Sequence, residues 1–252
     1  MGPRYGRLYA NAVLRPLAEQ VTDALDVRQG QTACDLICDS GTLGLALGAA
    51  VGHEGHVVLI DSDAALLPAA SHEVSSTGCA VSAQVAEAET APDDHRCDRV
   101  ASLCTFGFWD GVSLLDVAKR MTHRGGRAAV LTWDSANPPA HEVALDVALR
   151  DVAGLESSFL TRCLAGPDAA EALGWEPVTL HDVVRFDGIN VYWAAMVLER
   201  PVAHELDHQP GDSAQAMRAA CVRALQPWTA PDGTMRIPVR ATLWCSPPGG
   251  RG

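Results

Sequence analysis

Residues 34–44 read CDLICDSGTLG. The stretch nearly spells D-x-G-x-G-x-G, a loop that lays backbone against a nucleotide-like ligand, but Ile37 and Asp39 stand where two glycines belong. Its setting is that of such a loop. An apolar run, 33–38, precedes it, and Ser40-Gly41-Thr42 opens a helical stretch, 42–51, whose first N–H groups and dipole can face a ligand. About twenty residues on, a second apolar run, 56–61, ends at Asp61, a carboxylate suited to the two hydroxyls of a ribose. After a third run, 80–86, Glu87 can accept from an adenine amino group. A glycine loop alone is weak evidence; three acidic strand ends in order are stronger. Taken singly, Asp35, Asp61 and Glu87 are also ordinary strand-end or capping carboxylates.

Outward from the loop, apolar positions at helical spacing predict a helix over 7–27. Further strands are expected at 98–103 and 126–133, and helices at 63–76 and 111–123, with His-Arg-Gly-Gly at 123–126 as helix stop and turn. Alternating strands and helices with short turns mean a parallel sheet covered on both faces, with the ligand at the C-terminal strand ends. Beyond 135 the pattern predicts helices at 140–152, 167–173, 189–198 and 213–225, a strand near 177–186, and a last strand, 234–245, which Pro238 places at a sheet edge.

Length and composition set limits. The chain has 252 residues, 48% apolar and 20% charged, enough for one large packed domain. A net charge of −12, with Lys119 the one lysine, disfavours nucleic acid and anionic membrane surfaces. No run approaches a membrane span, and the N-terminal residues are too polar for a secretory signal. The eight cysteines show no C-x-x-C pair, so free thiols in a reducing, cytoplasmic setting are expected. Abundant alanine and arginine point to a GC-rich bacterial genome.

The sequence resembles the class I S-adenosylmethionine-dependent methyltransferases, in the branch of the ubiquinone and menaquinone enzymes and many small-molecule methyltransferases. The resemblance is carried by residues 15–67 (RPLAEQ through DAALL), by AEAETAPDDHRCDRVASL at 86–103 and by VAKRMTHRGGRAAVLTW at 117–133. It continues in ALGWEPVTLHDVVRF at 172–186, Tyr192-Trp193 and DGTMRIPVRATLW at 232–244, so it spans about 5–245. It implies a doubly wound α/β, Rossmann-like sheet of seven strands with an antiparallel last strand. As one domain of 1–246 it would carry an N-terminal helical cap (1–30), a cofactor core (31–135) and an acceptor-side part (136–246), with a disordered tail at 247–252. It also implies S-adenosylmethionine as cofactor, with its methionine end over Asp35, Asp39, Ser40 and Gly41, its ribose at Asp61 and Ser62, and its adenine beside Leu66, Glu87 and Ala88. Leu103 would border the methyl-transfer point. The acceptor would lie among Tyr5, Tyr9, Phe106, Trp109, Trp133, Phe159, Tyr192 and Trp193, whose aromatic character suits an apolar small molecule.

Two departures bear on this. Ile37 is large, and any side chain at 39 takes ligand space that glycine leaves open. At 4 Å and an effective dielectric of 20, an Asp39 carboxylate repels the cofactor's carboxylate by about 4 kcal/mol, but the ammonium and sulfonium of the same molecule attract it. Three functions follow: a small-molecule methyltransferase; the same fold without methyl transfer, catalysing a cyclisation or rearrangement; or a non-catalytic partner subunit. A possible homodimer fits any of them. His204-Glu-Leu-Asp-His208 matches the zinc pattern H-E-x-x-H, but Pro201 and Pro210 confine any helix there, and a polar surface turn is the expectation. The remaining histidines suggest no catalytic role, and no metal is expected.

Overall fold

A computed structural model describes residues 6–86, 96–103, 111–134, 137–155, 167–199, 206 and 209–247. Seven strands form one sheet: β1 Thr32–Leu36, β2 His56–Asp61, β3 Ala80–Val85, β4 Cys97–Leu103, β5 Thr122–Trp133, β6 Glu176–Phe186 and β7 Met235–Cys245. Their order is β3-β2-β1-β4-β5-β7-β6, with β7 antiparallel to both neighbours. The chain runs outward from β1 through β2 to β3 and then returns to β4 on the other side of β1. The crevice at this reversal, beyond the C-terminal ends of β1 and β4, is where open α/β sheets bind ligands. The expected doubly wound fold is therefore the observed one.

Helices cover both faces. The N-terminal helix α1 spans 7–24 and carries a π-helical turn, Ala10–Leu14, between its α segments. It is followed by α2 (Thr42–Val51), α3 (Leu67–Ser75), α4 (Gly111–Arg120), α5 (Ala140–Ala148), α6 (Pro167–Ala172), α7 (Ile189–Trp193) and α8 (Ser213–Leu225). Two more π turns, Leu149–Ala153 and Ala194–Leu198, extend α5 and α7. Alternation along the strands divides the core. Ala33, Val57, Leu59 and Ala101 face α1, α2 and α3, whereas Cys34, Leu36, Val58, Ile60 and Val100 face Leu114, Leu115 and Ala118 of α4. The six cysteines among the described residues are free and buried. No helix among these residues is long and apolar enough to cross a membrane.

Three expectations need correction. Helix α4 stops at Arg120, three residues early, because β5 begins at Thr122 and takes in the His-Arg-Gly-Gly segment. The β4–β5 register shifts between Cys97 and Arg99, opposite Gly125 at φ +90° and Gly126, where a side chain would meet the Asp98 carbonyl at 2.7 Å. Pro238 does not mark an edge strand, since β7 lies between β5 and β6. It falls in the half of β7 that pairs only with β6; the β5 ladder covers Ala241–Cys245, so the missing N–H costs no strand pairing. Strand β1 ends at Leu36 rather than 38, because Ile37 turns to φ +65°.

Gly44 sets the distance between α2 and the sheet. A Cβ there would lie 2.7 Å from Leu59 Cδ2, 3.0 Å from Val74 Cγ2 and 3.3 Å from Asp35 Oδ2. Gly44→Ala is expected to destabilise the protein by about 1–3 kcal/mol through overpacking. Urea unfolding measures this, and an unchanged midpoint would show that α2 can shift without cost.

Candidate functional site

The β1–α2 loop keeps a glycine-type backbone without the glycines. Residues 37, 39 and 41 have φ of +65°, +46° and +81°, while Cys38 and Ser40 between them do not enter the positive region. Positive and negative φ thus alternate along the loop. Left-handed geometry costs an L-residue about 1–2 kcal/mol; Asp tolerates it, but for a β-branched side chain it is an outlier. Local contacts hold the loop in this state. Ile37 is buried in the apolar cluster with Leu36, Ile60 and Ala86. The Cys38 N–H donates to the Ile60 carbonyl at 2.9 Å, and the Gly41 N–H to the Cys38 carbonyl at 2.7 Å. The Asp39 N–H donates to Asp61 Oδ2 at 2.9 Å, and Asp61 Oδ1 accepts from Asp63 N–H at 3.0 Å.

Three carboxyl groups, Asp35, Asp39 and Asp61, are buried around this loop. Asp35 Oδ2 accepts from the Gly44 N–H at 2.7 Å. Removal from water pushes the Asp35 carboxyl up to about 8; the Gly44 N–H opposes this, and the negative charges of Asp61 and Asp39 add to it. Ser40 and Ser62 are half-buried beside the loop, and Leu66 and Leu103 are buried. The sequence-predicted residues Asp35, Asp39, Ser40, Gly41, Asp61, Ser62, Leu66 and Leu103 therefore lie along one edge, at or just past the ends of β1, β2 and β4. Glu87, Ala88, Tyr5, Phe106, Trp109 and Phe159 fall outside the described residues, as do His204, Glu205 and His208. Among the described residues no cluster could hold a metal ion.

Beyond the end of β5 a second group forms. Trp133 (β5), His141 (α5), Phe186 (β6), Tyr9 (α1) and Tyr192 (α7) are all buried. Trp133 meets His141 edge-on at 5.8 Å between ring centroids, Tyr9 and Phe186 lie 6.3 Å and 6.2 Å from His141, and Tyr192 stands edge-on to Phe186 at 5.4 Å. The Tyr9 hydroxyl donates to Glu142 Oε1 at 2.7 Å, and the Tyr192 hydroxyl to the His141 carbonyl at 2.7 Å. Tyr9, Trp133 and Tyr192 are thus brought together as the sequence suggests; Trp193 is buried in the same core but makes none of these ring contacts. His141 and Glu142 escaped sequence reading. The signal was present: residues 141, 145 and 148 form an apolar helical stripe, which places a histidine on the inward face. Two open grooves of about 390 Å³ lie elsewhere, one beside Asp187–Asn190 and Met235, the other between α1 and α2, and neither takes in these residues.

The sequence pattern of the ubiE/COQ5 methyltransferase family matches residues 14–155, over half of the chain. The chain belongs to this family. Its members are class I S-adenosylmethionine-dependent methyltransferases, and the family and the fold together imply that cofactor. Solved structures agree on the fold. YcgJ from Bacillus subtilis is 14% identical with a TM-score of 0.59, over 91% of this chain and 97% of that one. BH2331 from Bacillus halodurans, provisionally described as a methyltransferase, is 14% identical with a TM-score of 0.57, over 90% and 96%. The [4+2]-cyclase SpnF is 14% identical with a TM-score of 0.56, over 99% and 89%. No curated protein matches the chain.

Asp35 has a thermodynamic signature. Its folded value of about 8 lies above the roughly 3.9 of an unfolded aspartate, so the folded state holds the proton more tightly. Its contribution to stability is complete below about pH 4 and is lost as pH rises to about 8. Urea midpoints should fall over that window, and Asp35→Asn should flatten the slope. The pKa of His123 is raised by its hydrogen bond to Asp98 and acts in the same sense, so the difference between wild type and variant isolates Asp35. Identical slopes would place Asp35 in contact with water.

Ile37→Gly relieves the left-handed strain but removes a buried side chain. Burial outweighs strain, and a net loss of about 1–3 kcal/mol is expected. Asp39→Gly keeps the N–H to Asp61 and is expected to be neutral or stabilising by up to about 1 kcal/mol. Thermal unfolding of the two variants checks the contrast; equal losses would mean that Asp39, too, is held by its side chain.

Proposed function

We propose that the protein transfers the methyl group of S-adenosylmethionine to a small, largely apolar acceptor. The observation that carries this is the loop backbone: residues 37, 39 and 41 hold the left-handed pattern of a glycine loop although two of them carry side chains. The contacts around the loop enforce that path, and with it the form of a ligand-binding glycine loop.

The residues present fit the cofactor by the chemistry of their donors and acceptors. Carboxyl groups suit a ribose diol and a cation, and the helix start at α2, with its dipole, suits a carboxylate. Asp61 would take the ribose hydroxyls; a carboxylate has about four acceptor sites, so holding the Asp39 and Asp63 N–H groups is compatible with this. Ser40 and Gly41 would lie at the methionine end, Ser62 near the ribose, and Leu66 with Glu87 and Ala88 at the adenine. Leu103 would stand where transfer occurs. The bound cofactor supplies a methyl group already activated on a sulfonium, which leaves the protein to position the acceptor and exclude water.

Asp39 alters the electrostatics and leaves the fold of the loop intact. Burial keeps the neighbouring Asp35 carboxyl protonated up to about pH 8, and a ligand of net positive charge beside Asp35, Asp39 and Asp61 favours its ionised form. The apolar, aromatic walls beyond β5 support an apolar acceptor. Free cysteines among the described residues support a reducing, cytoplasmic setting. The likeness to SpnF reaches 14% identity, shows the fold, and does not favour a cyclisation over methyl transfer.

Calorimetry tests the proposal. S-adenosylmethionine is expected to bind with micromolar affinity, and no binding at millimolar ligand would end the methyltransferase reading. A cation beside Asp35 favours its ionised form. Binding should therefore release a proton and tighten as pH rises towards about 8, by up to roughly tenfold per unit. S-adenosylhomocysteine, which lacks the sulfonium charge, should show a weaker dependence.

A further inference from the structure

Strands β6 and β7 pair from Glu176↔Cys245 to Phe186↔Met235, so alternate residues face opposite sides of the sheet. Leu180, Val184, Phe186, Ile237 and Val239 enter the core on one side. On the other side Arg185 stands opposite Arg236, Val183 opposite Pro238, and His181 opposite Arg240. All six are exposed, Val183 to 43%. Lower on the same face Trp244 is buried with Ala170 of α6 and with Trp175, and the six exposed residues lie beyond that cover.

Charge on this face runs against the composition. Acidic residues outnumber lysine and arginine in the chain by 31 to 19. Yet the residues that β6 and β7 direct to this side include three arginines and a histidine, and no aspartate or glutamate. Two carboxylates stand at its margin. Asp134, past the end of β5, binds Arg240 at 3.0 Å, and Asp232, ahead of β7, is held by Thr234 and lies within electrostatic reach of Arg236. Neither Arg185 nor Arg236 has an ion pair among the described residues. Directly opposite residues of an antiparallel pair have Cβ atoms about 5 Å apart, and like charges there are destabilising. Guarding a free sheet edge explains charge on β6, the edge strand. It does not explain Arg236 and Arg240, because β7 lies inside the sheet. A face that only meets water is served by either sign, and opposite signs across the pair would add stability. Repulsion built into the pair is relieved by negative charge brought from outside.

The face also has a defined place. Strand β7 pairs with β5 only over Ala241–Cys245, and Trp133, the last residue of β5, stands opposite Ala241. Arg240, Pro238 and Arg236 therefore continue past β5, at the same end of the sheet as the candidate cofactor edge.

We propose that this overhanging face docks an acidic segment of a partner protein, with carboxylates against the Arg185–Arg236 row and against Arg240, and an apolar side chain over Val183 and Pro238 between them. Rows on one face of a sheet repeat every two residues, so the two cationic rows lie roughly 13 Å apart. An extended segment with an acidic residue, an apolar residue two positions on and a second acidic residue four positions on matches that spacing. A second copy of this chain is not the occupant in a two-fold arrangement, because the same face on both sides sets arginine against arginine. The net charge of −12 repels an acidic partner over the rest of the surface, which leaves this face as its approach. The proposal stands apart from the methyltransferase reading, since none of these residues belongs to the cofactor edge.

The test uses the whole protein and a fluorescein-labelled peptide of ten glutamates, followed by fluorescence anisotropy. Wild type is expected to bind it with a dissociation constant below about 1 mM at about 20 mM salt, and more weakly at about 200 mM. Arg185→Glu should weaken binding at least about tenfold, and Arg236→Glu should do the same should the first variant not fold. Arg223→Glu, an equal change in net charge at an exposed arginine of α8, should weaken it less than about twofold. Arg185→Glu should also raise the thermal midpoint, because it turns a repulsion into a cross-strand ion pair. Four results overturn the assignment: no peptide bound by wild type at millimolar concentration, equal losses in Arg185→Glu and Arg223→Glu, a lower thermal midpoint in both charge reversals, which would make the arginine pair structural, or binding of wild type to phosphatidylserine vesicles in preference to the peptide, which would make the occupant a membrane.

Discussion

The hydrogen bond from the Asp39 N–H to the Asp61 carboxylate ties the end of β1 to the end of β2, and the candidate cofactor edge depends on it. It spans 22 residues of sequence and lies in a fully buried setting, where an unpaired carboxylate or amide is costly. The left-handed residues 37 and 39 flank two main-chain anchors, the Cys38 N–H on the Ile60 carbonyl and the Asp39 N–H on Asp61. Positions 37 and 39 carry side chains on this path, and the contacts that define it are made by main-chain groups and by Asp61.

The same logic explains which glycine could not be replaced. Gly41 and Gly44 survive where a Cβ would press on α3 and on Leu59, so that packing between elements forbids a side chain. At 37 and 39 the constraint is conformational, and conformational strain of about 1–2 kcal/mol can be offset locally. Ile37 offsets it by burial among Leu36, Ile60 and Ala86; Asp39 by its backbone bond and by the tolerance of aspartate for this region.

Much of the fold was legible in the sequence. Strand runs, the Ser-Gly-Thr helix start and the acidic strand ends place the sheet, its switch point and the cofactor edge, because each depends on local pattern. What was not legible depends on tertiary pairing. Pro238 reads as an edge residue, and only the short overlap of β5 with β7 shows how an interior strand admits it. Gly125 and Gly126 read as a turn, and only the register shift against β4 shows them inside a strand. His141 and Glu142 were missed for a different reason. The histidines read as scattered, and only the structure shows Tyr9, Trp133, Phe186 and Tyr192 closing over this pair from four other elements.

The candidate site thus has two separately ordered parts. At the β1–α2 edge the Gly44 N–H, in the first turn of α2, holds the Asp35 carboxyl, and burial keeps that carboxyl protonated up to about pH 8, so a cation bound beside it would draw it into its ionised form. Beyond β5 the Tyr9 hydroxyl, from the N-terminal helix, holds Glu142. Groups oriented in this way before a ligand arrives need not reorganise when charge is brought beside them.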